Sequence, residues 1–136
     1  MSQKHVLEEI RHHEPTIREE VDSLGDGLMD IVNLTSEETG VEGIIFVSTR
    51  MASHGPRVKY LQKAGEDQPS FSVSIADDPR VLATSLPERI VARVAPRVVE
   101  WVVLNKAALR QIWDGSALPS REFIALVQGL KKLPKR

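Results

Sequence analysis

Hydrophobic positions change period twice along this chain of 136 residues. At first they recur at helical spacing. Ile17, Val21, Leu24, Leu28 and Ile31 fall three or four residues apart and make one apolar face. Pro15 fits the first turn of that helix, and Thr16-Ile17-Arg18-Glu19 has capping-box spacing. Gly25 and Gly27 weaken the helix or split it. A short polar helix over 3–13 precedes it, and the polar run Thr35–Gly40 closes this part of the chain.

From Gly43 the period falls to two. Strands are predicted at Gly43–Arg50, Arg57–Gln62 and Phe71–Ile75, with a short fourth at Val81–Ala83. Turn signals at His54-Gly55-Pro56, between Gly65 and Pro69, and at Asp77-Asp78-Pro79 separate them. The connections are short enough for an antiparallel meander. Alternation in the third strand sends Phe71, Val73 and Ile75 inward and Ser70, Ser72 and Ser74 outward.

Helical spacing returns at Ser85-Leu86-Pro87-Glu88, which joins a cap residue, an early proline and a capping-box glutamate. Pro96 is expected to kink or restart this helix, because it has no backbone N–H to donate. Arg97–Asp114 then carries the apolar stripe Val98, Trp101, Val102, Leu109 and Ile112, with Asn105 on it and Gly115 as a stop. A last helix is predicted over Ser120–Leu130, with Phe123, Ile124 and Val127 facing inward. The expected fold is therefore α+β. An N-terminal helical arm leads into a three- or four-stranded antiparallel meander, and two or three C-terminal helices pack on the sheet.

Charge sharpens this division. Residues 1–42 hold eleven acids and three bases, a net of −8, whereas residues 43–136 hold eight acids and fifteen bases, a net of +7. The formal total of −1 conceals the split. The chain thus divides into an acidic helical arm (1–42) and a basic α+β body (43–136). Such asymmetry points to partners or to docking of the two parts on one another. A hydrophobic fraction of 41% with 27% charged residues is that of a folded globular chain.

Composition also excludes several functions. There is no cysteine, so no disulfide, thiolate nucleophile or cysteine-held metal. The longest apolar runs are too short to cross a bilayer, and Ser2-Gln3-Lys4 begins no signal sequence, so a cytoplasmic protein is expected. His5, Glu9, His12 and His13 crowd one predicted helix, and Glu9-x-x-His12 has the spacing of a di-iron ligand pair. Such sites need two of these motifs, and only one is present, so no metal or other cofactor is assigned. No phosphate-binding loop, dinucleotide fingerprint or nucleophile elbow occurs.

The remaining candidate chemistry is basic. Arg50, His54, Arg57 and Lys59 lie on two predicted strands and the turn between them. If the strands pair, a histidine and three cations converge, as for a phosphate or a nucleic-acid backbone. The competing account is an exposed sheet face whose cations guard an edge. Of the aromatics only Tyr60 neighbours the cluster, which gives no stacking platform for bases.

From His54 to Gly115 the order of features resembles a bacterial family, domain of unknown function 4160. The residues that carry the likeness are His54-Gly55-Pro56, Phe71–Ile75, Leu86-Pro87, Val98–Lys106 with its Trp101, and Leu109–Trp113. Where that family's turn is followed by further histidines, this chain has Arg57 and Lys59. The resemblance implies an α+β body and a toxin–antitoxin-like gene context, and it implies no settled activity. The function expected from the residues is a non-enzymatic protein- or nucleic-acid-interaction module working through the basic hairpin. In its sharpest form the acidic arm covers the basic face in the free protein. The alternative is a small nuclease or phosphotransfer-type enzyme using the His/Arg/Lys cluster. A homodimer through the apolar face of the N-terminal helix is a third expectation.

Overall fold

The structure, a computed structural model, describes residues 14–23, 31–49, 55–115 and 119–134. The predicted helix over 3–13 with its histidines, and the candidate residues Arg50 and His54, lie outside these residues. In chain order the elements are α1 (Ile17–Ser23), β1 (Ile31–Leu34), α2 (Ser36–Thr39), β2 (Ile44–Ser48), β3 (Arg57–Leu61), β4 (Ser70–Ser74), β5 (Val81–Thr84), α3 (Glu88–Trp113) and α4 (Ser120–Gln128).

The α+β class and the antiparallel meander are as expected, but the sheet has five strands in the order β1-β2-β3-β4-β5 rather than three or four. The additional strand is β1, which helical spacing had absorbed because Ile31 follows Leu28 by three. Two local features favour a strand there. Ile31 and Val32 are β-branched, and Thr35 stops the run by opening α2. The Glu38 carboxylate accepts the Thr35 N–H at 3.0 Å, and Gly40 ends the turn at φ 81°. The chain then reverses and pairs Leu34 with Ile45 and Ile31 with Ser48. Backbone pairing therefore crosses the charge boundary at residue 42.

Helix α3 runs for 26 residues straight through Pro96. The expected restart does not occur because Pro96 and Ala92 both lie on the exposed side of the helix. The carbonyl that loses its donor there can be met by water. The opposite side of α3 buries the predicted stripe of Val98, Trp101, Val102, Leu109 and Ile112, and with it Ile90, Val94 and Trp113. In α4 Phe123 is buried, whereas Ile124 is 52% exposed. Neighbouring residues on a helix point about 100° apart, and in α4 it is the larger Phe123 that turns inward while Ile124 faces away.

Asn105 explains how the C-terminal segment is tied down. Its side-chain N–H groups donate to the Trp101 and Lys131 carbonyls at 3.0 and 2.9 Å, and its carbonyl accepts the Lys131 N–H at 2.7 Å. Arg97 adds bonds to the carbonyls of Gly40 and Pro134. A polar residue in an apolar stripe thus clamps the tail along α3.

Both faces of the sheet are covered. Tyr60 and Phe71 stack with centroids 4.9 Å apart, and Tyr60 lies within the electrostatic reach of Arg93 from α3. This is the face that alternation assigned to the core. On the other face Ser70 and Ser72 are fully buried instead of solvent-exposed. Residues 14–20 lie over that second face, so the sheet is the middle of three layers. Among the described residues no helix is long and apolar enough to cross a membrane.

Candidate functional site

The second face centres on Lys59, in the middle of β3. Its neighbours across the strands are Phe46 on β2 and Ser72 on β4. Strand alternation places Arg57 and Leu61 on the same face. Lys59 is only 2% exposed, a costly position for an ammonium unless it is paired.

The pairing comes from the acidic arm. Lys59 Nζ donates to Glu14 Oε1 at 2.7 Å, to the Pro15 carbonyl at 2.7 Å and to Glu20 Oε1 at 2.5 Å. An ammonium has three donors, and these three oxygens use all of them. Ser72 Oγ donates to the other Glu14 oxygen, Oε2, at 2.7 Å. Glu14 and Glu20 are themselves 2% and 6% exposed. Two carboxylates and one ammonium are thus held together away from water, tied to the sheet through Lys59 and Ser72.

Local sequence places these groups. Pro15 leads into α1, and Thr16 and Glu19 form the predicted capping box. The Glu19 N–H donates to Thr16 Oγ1 at 3.1 Å, and the Thr16 N–H donates to Glu19 Oε1 at 3.1 Å. The helix that follows returns Glu20 to the same sheet face as Glu14, with the buried Ile17 between them. At the rim the Arg18 N–H donates to the Glu66 carbonyl at 3.1 Å. The Arg18 guanidinium meets Glu66 and Asp67 at 3.1 and 2.9 Å. One polar atom on this face is unanswered: Ser70 Oγ is buried and has no hydrogen-bond partner.

Of the four candidate cluster residues, Arg57 and Lys59 are described, and β2 and β3 pair as the sequence required. Lys59, however, is committed inside the protein, with no donor left for a phosphate in this arrangement. Arg57 is half-buried and its Nε donates to the Gly55 carbonyl at 3.2 Å. Sequence reasoning counted Glu14 and Glu20 only as part of a net charge, and took Ser72 for a solvated strand residue. The available signal was a lysine amid apolar β3 positions, facing a strand of serines.

Four other cations of the body are also paired with carboxylates. Arg93 forms a two-pronged pair with Glu42 at 3.1 and 3.2 Å, Arg80 meets Asp78 at 2.8 Å, and Arg97 meets Glu100 at 3.2 Å. Lys106 pairs with Asp77 and holds that carboxyl below its ordinary range, first through the hydrogen bond and then through its charge. Tyr60 is pushed up from the ordinary phenol value, mainly by burial and then by Glu42, with Arg93 opposing. A groove lies elsewhere, at the end of α3, where Arg110, Gln111, Asp114, Glu122, Ala125 and Leu126 line about 650 Å³. Among the described residues no group of His, Asp or Glu side chains is placed to hold a metal ion. Comparison with known proteins finds no matching family model, no matching curated protein and no matching solved structure.

Proposed function

We propose that this chain is a non-enzymatic protein-interaction module whose binding surface is the Lys59 face of the sheet. The observation that carries the proposal is the capture of residues 14–20 by Lys59 and Ser72. That face already binds a peptide segment, with charge, hydrogen-bond and apolar complementarity, and the segment belongs to the same chain. A nucleic-acid partner has less support. On this face it would need cations free to meet phosphates, whereas Lys59 gives all three of its donors to the resident segment. The likeness of residues 54–115 to the bacterial family supports a role beside a cognate partner protein.

The test places a photo-crosslinking amino acid at Arg57, on the rim of the face, in the host cell. A discrete protein adduct is expected. It should strengthen when Glu14→Gln and Glu20→Gln loosen the resident segment. It should weaken with Ser72→Ala, which deletes a polar group of the face and leaves the core apolar residues in place. An adduct indifferent to all three changes would remove the proposal. So would RNA or DNA cleavage by the purified protein that is lost with His54→Ala.

A further inference from the structure

We infer that the Lys59 face recognises an acidic peptide segment of a partner, and that residues 14–20 occupy it as a built-in stand-in for that segment. The inference rests on the interaction-module proposal and names the chemistry of the partner.

The recognition elements can be taken from the occupant. A first carboxylate, Glu14, divides its two oxygens between Lys59 and Ser72. A proline follows it and leaves its carbonyl to the ammonium at 2.7 Å. An aliphatic side chain three residues after the first carboxylate, Ile17, is buried in the core cluster. A second carboxylate six residues after the first, Glu20, returns to the same ammonium at 2.5 Å. Two of these contacts read negative charge, one reads apolar volume, and one reads the chain direction through a backbone carbonyl. A phosphate backbone supplies neither the buried aliphatic group nor a carbonyl acceptor beside a ring that lacks an N–H. The fitting partner is therefore a short acidic stretch with two carboxylates six residues apart and an aliphatic residue between them.

Two features indicate that the occupant can be exchanged. The ion pairs that Arg18 makes at its rim are on the surface. Arg18, Glu66 and Asp67 have side chains 55%, 61% and 68% exposed, and such pairs hold weakly and are screened by salt. The occupant also leaves Ser70 Oγ, fully buried on the same strand face as Ser72, without a partner. Buried hydroxyls are ordinarily satisfied, so the resident segment does not exhaust the hydrogen-bonding capacity of the face. A partner segment with an acceptor at that point would fit it better.

Tethering sets the scale of the test. A segment in the same chain competes at an effective concentration on the order of millimolar, so a free peptide is excluded from the wild type at lower concentrations. The experiment uses the full chain and a fluorescein-labelled peptide with the sequence of residues 14–23, read by polarisation. Glu14→Gln with Glu20→Gln in the protein weakens the resident segment. This variant should bind the peptide at least about tenfold more tightly than wild type. The same peptide with both glutamates replaced by glutamine should bind at least tenfold more weakly. If the variant proves poorly folded by circular dichroism, the wild type answers instead. Millimolar peptide should then accelerate amide exchange in residues 17–20, and its glutamine version should not. Failure of the acidic peptide both to bind the folded variant and to displace the segment from the wild type overturns the inference. So does tighter binding of an oligonucleotide than of the peptide. In either case a Ser72-dependent crosslink at Arg57 would leave the interaction-module proposal standing, and its loss would remove both.

Discussion

Replacing Lys59 by methionine tests what holds the acidic segment to the sheet. Methionine keeps most of the aliphatic stem, so the packing against Phe46 and Leu61 is largely preserved and the change is one of charge. If residues 14–20 stayed in place, Glu14 and Glu20 would remain at 2% and 6% exposure without the Lys59 ammonium that joins them. Breaking a buried pair in this way costs about 3–5 kcal/mol. The chain has a cheaper route, which is to release the segment. Release gives up the burial of Ile17, about 1.5–3 kcal/mol, and the exposed Arg18 pairs, each about 0–1 kcal/mol. It recovers backbone freedom in return. The smaller figure governs, so the variant should lose about 3 kcal/mol of global stability. For a domain of this size that is a fall in Tm of roughly 10 °C. The released segment gives a second signal. Amide exchange in Ile17–Ser23 should rise toward the open-chain rate under native conditions, while the strands stay protected. Converting Glu14 and Glu20 to glutamine in the same protein removes the repulsion and should recover part of the loss. A Lys59→Met protein that melts within about 2 °C of wild type, with residues 17–23 still protected, would refute the assignment of the segment's anchorage to this cluster.

Two further outcomes follow from other parts of the structure. Asn105→Ala should cost about 1–3 kcal/mol, because it leaves the backbone carbonyl and N–H of Lys131 without their partner; limited proteolysis should then cut after α4 sooner than in wild type. Tyr60 is the chain's single tyrosine, so tyrosinate absorbance reports it alone. Its pKa is raised by burial and by Glu42, so the stabilisation it contributes is intact below the ordinary phenol value near 10 and is lost as pH rises through the folded-state value. Glu42→Gln removes one of the two raising causes and should move the titration down.

Much of the fold could be read from single strands and helices. The alternation in β4, the stripe on α3 and the Thr16–Glu19 cap are local patterns, and each survives into the structure. Asn105 was also legible, since a lone amide among Trp101, Val102 and Leu109 must find backbone partners. The failures share a different cause. Whether Ile31 continues a helix or opens a strand depends on the partner strand that Thr35 to Gly43 returns to it. Whether Ser72 meets water depends on a segment 58 residues away, through Glu14. Period gives the two faces of a strand, and it does not tell how many of them are covered. The surroundings of Lys59 are hidden from the pattern for the same reason. On a strand with one wet face it would be an exposed cation, and a second covering layer makes it the centre of a buried cluster.

The charge division between the two parts of the chain takes on a different meaning in this light. Several opposite charges meet across residue 42. Glu14 and Glu20 reach Lys59, Glu42 reaches Arg93, and Arg18 of the arm reaches Glu66 and Asp67 of the body. If all of these were surface pairs, each would be worth about 0–1 kcal/mol, and moderate salt would detach residues 14–20. Lys59 differs because water is excluded around it. Its interactions are screened little, and losing one partner strands the others in a medium that solvates them poorly. The segment 14–20 should therefore stay docked through a rise in ionic strength that dissolves its rim contacts. It should leave when a group on the Lys59 face is changed or when a competitor supplies the same two carboxylates. Long-range charge attraction brings acidic and basic parts together without choosing among acids. The buried ammonium, the serine beside it and the apolar seat of Ile17 do the choosing.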